Sequence, residues 1–244
     1  MTRNWTFDKL NLFITSEASF KEGSTFTWRF KDEDKNQQKI GPITPLEFYN
    51  DHVKPHFDVS TKVQLTADPR PSRLVGQTYK YEFPGTRTLV GAEDDCILNV
   101  EIETLMKIAS KSIQEGEAVI FSANFSEFRD DQYLDTDLFN YKIVFDTDVF
   151  TSMTKANRIT FSNHYGSHMA LLTGVDIDEA TEKPMKWRVE NSSGDNQYLT
   201  MTNAWFEEFG FGIIVDQSHC SQEILEGFKT TPIILPFWNG LASC

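Results

Sequence analysis

His168 and Asn191 are the residues of this chain whose types and spacing suit catalysis. An imidazole gains and loses a proton near neutral pH, and a carboxamide bound to one ring nitrogen fixes the other as the base. Together they are two thirds of a Cys-His-Asn triad, in which the amide orients the imidazole that activates a thiol. The first stretch runs Ser167-His168-Met169-Ala170-Leu171-Leu172-Thr173-Gly174-Val175-Asp176, and the second Lys186-Trp187-Arg188-Val189-Glu190-Asn191-Ser192-Ser193-Gly194. Two apolar runs separated by a polar connection containing Pro184 read as a β-hairpin with an extended loop. His168 begins the first strand and Asn191 ends the second, and antiparallel pairing brings those two ends to one edge. Taken singly, a histidine at a strand start is a structural or surface residue and an asparagine after a strand is a turn residue. The pairing gives them a joint meaning.

The two stretches resemble the bleomycin hydrolase and aminopeptidase C family of papain-like cysteine peptidases. That family's pattern is T-H-A-M-x-x-T-G around the catalytic His and R-V-E-N-S-W-G around the catalytic Asn. This chain has S-H-M-A-L-L-T-G and R-V-E-N-S-S-G. Further likeness lies at Ile40-Gly41 with Thr44-Pro45-Leu46-Glu47-Phe48, at Asp68-Pro69-Arg70, at Trp205-Phe206-Glu207-Glu208-Phe209 and at Leu235-Pro236-Phe237-Trp238. The motifs keep the family's order and cover its C-terminal half. The resemblance implies that His168 is the general base and acid and Asn191 its orienter. It also implies an α+β papain-like fold, chiefly the half whose twisted antiparallel sheet is partly closed into a barrel. Residues 1–58 would then be the remainder of the family's inserted helical region, and residues 59–244 the sheet half with a C-terminal arm. In the family that arm lies in the cleft and its terminal carboxylate holds the substrate's free amine, a role that would fall to Cys244 here. Hexamers are also a family property, so a homo-oligomer is implied.

Composition narrows the partners. The 244 residues carry a formal net charge of −13, and phosphate binding needs clustered Lys and Arg, so nucleic acid is not an expected partner. Twenty phenylalanines allow a well-filled core without disulfides. Cys96, Cys220 and Cys244 are far apart and lack metal-ligand spacing, which suits a reducing compartment, the cytoplasm, with no metal and no cofactor. His52, His56, His164 and His219 form no metal pair, and Trp187 and Trp205 read as core. The start, Met1-Thr2-Arg3-Asn4-Trp5, is not that of a signal peptide, and no apolar run reaches the roughly 18 residues of a membrane span.

Local patterns place the remaining elements. Residues 7–14 read as a helix and 31–39 as a polar connection. Thr44-Pro45-Leu46-Glu47 has the form of a capping box that opens a helix to about Val53. Val59 to Pro71 reads as a strand and turn, and Thr78–Phe83 as a half-buried strand stopped by Pro84-Gly85. Ile102, Leu105, Met106, Ala109 and Ile113 recur at helical spacing, with Gly116 where a C-cap belongs. A strand at Glu117–Ser122 precedes an acidic, aromatic stretch, 124–147, that reads as a surface excursion. A short helix near 148–156, the His168 hairpin, a strand near Tyr198–Met201, a helix near Asn203–Phe209, a strand at Phe211–Val215 and a helix near Gln222–Phe228 complete the order. Their mixed sequence fits α+β.

The nucleophile is the gap in this pattern. The family's cysteine stands in a Q-x-x-x-C-W context, which does not occur in this chain, and the Gln of the oxyanion hole is missing with it. Cys96 follows Asp94 and Asp95, Cys220 adjoins His219 as though on opposite faces of a strand, and Cys244 is next to its own carboxylate. None has the setting of a thiolate. Ser193 stands where the family has a Trp over the His–Asn bond, so that bond is expected to be long or water-bridged. Met169-Ala170 reverses the family's Ala-Met. Three functions follow: the His–Asn half of a cysteine aminopeptidase acting on peptides, a catalytically dead homologue serving as a binding or assembly subunit, or a decayed fragment. Exposure of the face that packs on the nucleophile-bearing half implies self-association or a need for that missing half.

Overall fold

The computed structural model describes residues 23–82, 96–139, 143, 145–146, 153–161, 168–191 and 198–236. The expected helix at 7–14, the turn at Pro84, Ser193 and the arm beyond Pro236 lie outside them. The chain divides into two compact units, 1–61 and 62–244. The described part of the first is a hairpin of β1 (Phe26–Lys31) and β2 (Gln37–Ile43), followed by α1 (Pro45–Phe48), which continues as a wider helical turn over Tyr49–Val53. The polar connection expected at 31–39 is narrower than its composition suggests, with strand at Lys31 and from Gln37 onward. Only residues 32–36 make the turn, where Asp32 accepts from the Asn36 N–H at 2.8 Å. The capping box forms as the sequence requires: the Glu47 N–H donates to Thr44 Oγ1 at 3.2 Å and the Thr44 N–H to Glu47 Oε2 at 2.9 Å.

The second unit is built around one sheet. The strands are β3 (Lys62–Thr66), β4 (Thr78–Glu82), β5 (Cys96–Asn99), β6 (Val119–Ala123), β7 (Tyr133–Leu134), β8 (His168–Ile177), β9 (Pro184–Glu190), β10 (Tyr198–Thr202), β11 (Gly210–Asp216) and β12 (Ile233–Pro236). They form a ten-stranded sheet in the order β12-β4-β5-β3-β11-β6-β8-β9-β10-β7. Most neighbours are antiparallel, and β3–β5, β4–β12 and β7–β10 are parallel. The helices wholly within the described residues are α2 (Ile102–Gln114), α3 (Lys155–Thr160), α4 (Asn203–Phe209) and α5 (Gln222–Gly227). Val59–Thr61, expected as strand, is a single tight helical turn that ends where β3 begins.

Among the described residues one large core fills this unit, with Ile159 and Phe211 as a small second cluster. Helix α2 contributes Leu105, Met106, Ile108 and Ala109, the positions its 3.6-residue period brings to one side. Gly116 ends it with φ +90°, a conformation open to glycine, and its N–H donates to the Ile113 carbonyl at 3.0 Å. Helix α4 is capped by Thr202 Oγ1 and buries Trp205, Phe206 and Phe209. Trp187 packs edge-on against Phe206, so both tryptophans are core. The stretch 124–134 is not a surface excursion. Phe125, Phe128 and Leu134 are buried in the same core, and β7 adds a short parallel strand beside β10. Its acidic residues hid this, because they alternate with the aromatic ones that turn inward. Helix α3 starts later than expected, at Lys155. Among the described residues no helix is long and apolar enough to cross a membrane.

Candidate active site

Strands β8 and β9 pair antiparallel, with Leu171 opposite Glu190, Leu172 opposite Val189 and Val175 opposite Trp187. Side chains alternate between faces along a strand. Ala170 and Leu172 are buried on β8, and Trp187 and Val189 on β9. His168 and Asn191 continue those two rows by one step each, so both project on the core-facing side at the same sheet edge. They meet there directly. His168 Nε2 lies 2.8 Å from Asn191 Oδ1. An amide oxygen only accepts, so Nε2 carries the proton and Nδ1 is left as the basic nitrogen.

The contact is neither long nor bridged by water, as the substitution of Ser193 led one to expect. Among the described residues, both partners have cover. Asn191 is 3 % exposed. The Phe125 ring stands over His168 with centroids 5.1 Å apart and planes at 89°. Phe125 in turn packs against Phe121 and Trp205, at 5.5 and 5.6 Å between centroids. Reading along the sequence missed Phe125. No period in the sequence marked it, since Phe125 lies just past β6 in a segment that is neither strand nor helix.

Neither described cysteine belongs to this site. Cys96 begins β5, four strands from β8, about 19 Å at the usual interstrand spacing. Cys220 follows the far end of β11, whose near end at Gly210 pairs with Ala123 and through it neighbours His168. Seven residues of strand separate the two ends by about 20 Å. Burial pushes the Cys220 thiol up to about 11, with Lys111 lowering it and Asp216 raising it by less. The residue before it is not on a strand either. His219 lies in a tight turn, Gln217–His219, and its Nδ1 and Nε2 meet Glu115 at 3.0 Å and Glu117 at 2.9 Å, not the neighbouring thiol. Cys244 lies outside the described residues. Among the described residues no group of three or more His, Cys, Asp or Glu side chains is placed to hold a metal.

The same sheet end carries a second polar cluster. Asp68, just past β3, is 4 % exposed and takes a two-pronged contact from Arg70, whose Nη2 lies 2.6 Å from Oδ2. Its backbone N–H donates to Asn99 Oδ1 at 2.8 Å, and Asn99 Nδ2 returns a bond to the Asp68 carbonyl at 3.1 Å. The Asp-Pro-Arg motif thus fixes where β3 and β5 end.

Comparison with known proteins gives the family. Residues 14–242 match the Peptidase C1-like family. The chain is 38 % identical over 226 residues to human bleomycin hydrolase, covering 90 % of this chain and 49 % of that protein. It is 34 % identical over 227 residues to the yeast protein named cysteine proteinase 1, mitochondrial, covering 89 % and 45 %. Among solved structures it is similar to PepW from Lactobacillus rhamnosis, with a TM-score of 0.79 at 27 % identity over 95 % of this chain and 52 % of that one. The chain therefore spans about half the length of the relatives it matches. Its mixed α+β fold is the papain-like fold of those relatives, and the chain belongs to the Peptidase C1-like family.

Proposed function

We propose that this chain carries the His–Asn half of a bleomycin hydrolase-like cysteine aminopeptidase, which removes residues from peptide N-termini. His168 acts as general base toward a thiol and then as general acid toward the leaving amine, and Asn191 orients it. The observation that carries this reading is the 2.8 Å contact between His168 Nε2 and a buried Asn191 Oδ1. The thiol comes from polypeptide outside these 244 residues, so the chain by itself is inactive. Its partner is that Cys-bearing half, or further copies of the chain, and its compartment is the cytoplasm. The terminal carboxylate of Cys244 is the group assigned to the substrate's free amine.

The test is to assay the purified chain on an aminoacyl fluorogenic substrate, alone and mixed with the Cys-bearing half of a relative. The expected result is no turnover alone, and alkylator-sensitive turnover on mixing that His168→Ala abolishes. Thiol-dependent turnover by the chain alone would overturn the assignment of the nucleophile. No turnover on mixing, together with a different co-purifying protein in mass spectrometry, would point to a binding or assembly subunit instead.

A further inference from the structure

Water competes for an imidazole N–H and an amide oxygen alike, so a His–Asn bond keeps one geometry only where water is excluded. Asn191 is buried one residue past β9, in line with that strand's inner row. His168 stands at the first position of β8 and is half-buried, so its ring needs cover from another part of the chain. Phe125 stands edge-to-face against it.

Phe125 is not in a strand, yet three anchors hold its segment. Ala123, the last residue of β6, pairs with His168 in the sheet. The next residue, Asn124, donates its N–H to the Phe209 carbonyl at 3.0 Å and accepts the Ser126 N–H on Oδ1 at 3.1 Å, which turns the chain across the strand ends. Trp205 Nε1 donates to the Glu127 carbonyl at 3.0 Å. Phe128 then adopts φ +48°, a region side chains rarely enter, while stacking on Phe209 at 5.8 Å. A strained residue persists only where its surroundings over-determine it. Phe125 is 4 % exposed in the middle of this segment.

We propose that Phe125 is a positioning residue: its ring keeps water from the His168–Asn191 bond and so holds the imidazole with Nε2 protonated and Nδ1 basic. The inference rests on reading His168 and Asn191 as a functional pair. Phe125 touches no reacting atom and acts through His168.

The experiment is nitrogen-15 NMR of the histidine side chains in the full chain. In the wild type, the His168 Nε2–H exchanges with water roughly tenfold or more slowly than an exposed imidazole, as expected for a sheltered hydrogen bond. An Overhauser contact joins the His168 ring to the Phe125 ring. Phe125→Ala is expected to speed that exchange roughly tenfold and to let the neutral ring populate both tautomers. Phe125→Leu, which keeps most of the volume, is expected to fold and to show a smaller acceleration. Phe206→Leu serves as the control. It thins the same core where Phe206 packs on Trp187 and Phe121, and is expected to lower stability without moving the His168 signals. Unchanged exchange in a folded Phe125 variant, or no Overhauser contact in the wild type, overturns the proposal. Asn191→Ala separates the two failures. If it leaves the exchange unchanged, the pair itself is misread. If it speeds exchange and Phe125→Ala does not, only the role of Phe125 falls.

Discussion

The ammonium of Lys155 lies 2.6 Å from the carbonyl oxygen of Gly210 and 2.7 Å from that of Glu207. It closes the C-terminal end of α4, where helix carbonyls lack partners and a cation is favoured. Arg158, one turn along α3, pairs with Glu208. The helix before His168 is thereby fastened to the corner from which β11 departs.

Burial, with a smaller contribution from Arg158, pushes the Lys155 ammonium down from 10.5 to about 7, against smaller opposing effects of Glu207 and Asp68. Between those two values the unfolded chain holds a proton that the folded one has shed. Wild-type stability therefore rises with pH across that window, and it gains nothing from this group below about pH 7. Urea unfolding at a series of pH values should show that rise, and Lys155→Met should lack it. At neutral pH the variant loses the two hydrogen bonds but also escapes the cost of burying the charge, so it is expected to lie within about 1 kcal/mol of the wild type.

Gly210 is small for a reason of space. Its φ of −75° suits any residue, but an added Cβ would stand 2.5 Å from the Phe206 carbonyl oxygen and overlap the Phe206 ring. Gly210→Ala is expected to cost about 2 kcal/mol or more, since neither backbone nor a fully buried ring can yield cheaply. Thermal unfolding followed by circular dichroism measures it.

Asp68 neutralises Arg70 and stands 3.6 Å from Arg73 inside the fold. Removing the carboxylate breaks both of these contacts, and breaking a buried ion pair costs about 3–5 kcal/mol. Asp68→Asn and Asp68→Ala are expected to destabilise by similar amounts. A mild Asp68→Asn would mean that shape and hydrogen bonding to Asn99, not charge, hold this corner.

With its thiol near 11, Cys220 is about one part in a thousand thiolate at pH 8. Iodoacetamide should label it slowly there and faster by about tenfold for each pH unit up to about 10. Peptide mapping of the labelled native chain reads this site alone. Rapid labelling at pH 8 would show that the thiol is not sheltered as described.

In an enzyme reassembled from both halves, Asn191→Ala is expected to lower kcat/KM less than His168→Ala does. The first removes orientation, and the second removes general acid–base catalysis worth about 10²- to 10⁴-fold. Equal losses would mean that the imidazole cannot work at all without its orienter.

Elements whose stabilising contacts are local were legible in the sequence. The capping box at Thr44 and Glu47, helix α2 with Gly116 behind it, and α4 after Thr202 all depend on residues within four positions of one another. The meeting of His168 and Asn191 was legible too. A two-residue period and antiparallel pairing fix which side chains share an edge, and a one-residue slip would turn Leu172 and Val189 out of the core. What surrounds the pair was decided only by the order of strands in the sheet. That order sets β6 between β8 and β11 and brings Phe125 to Trp205 across 80 positions of chain. Periodicity reports which side of an element is apolar, but not which distant element will cover it. The acidic residues around Phe125 therefore read as surface, and the contact expected to be long or water-bridged is direct at 2.8 Å, beside a ring from another part of the chain.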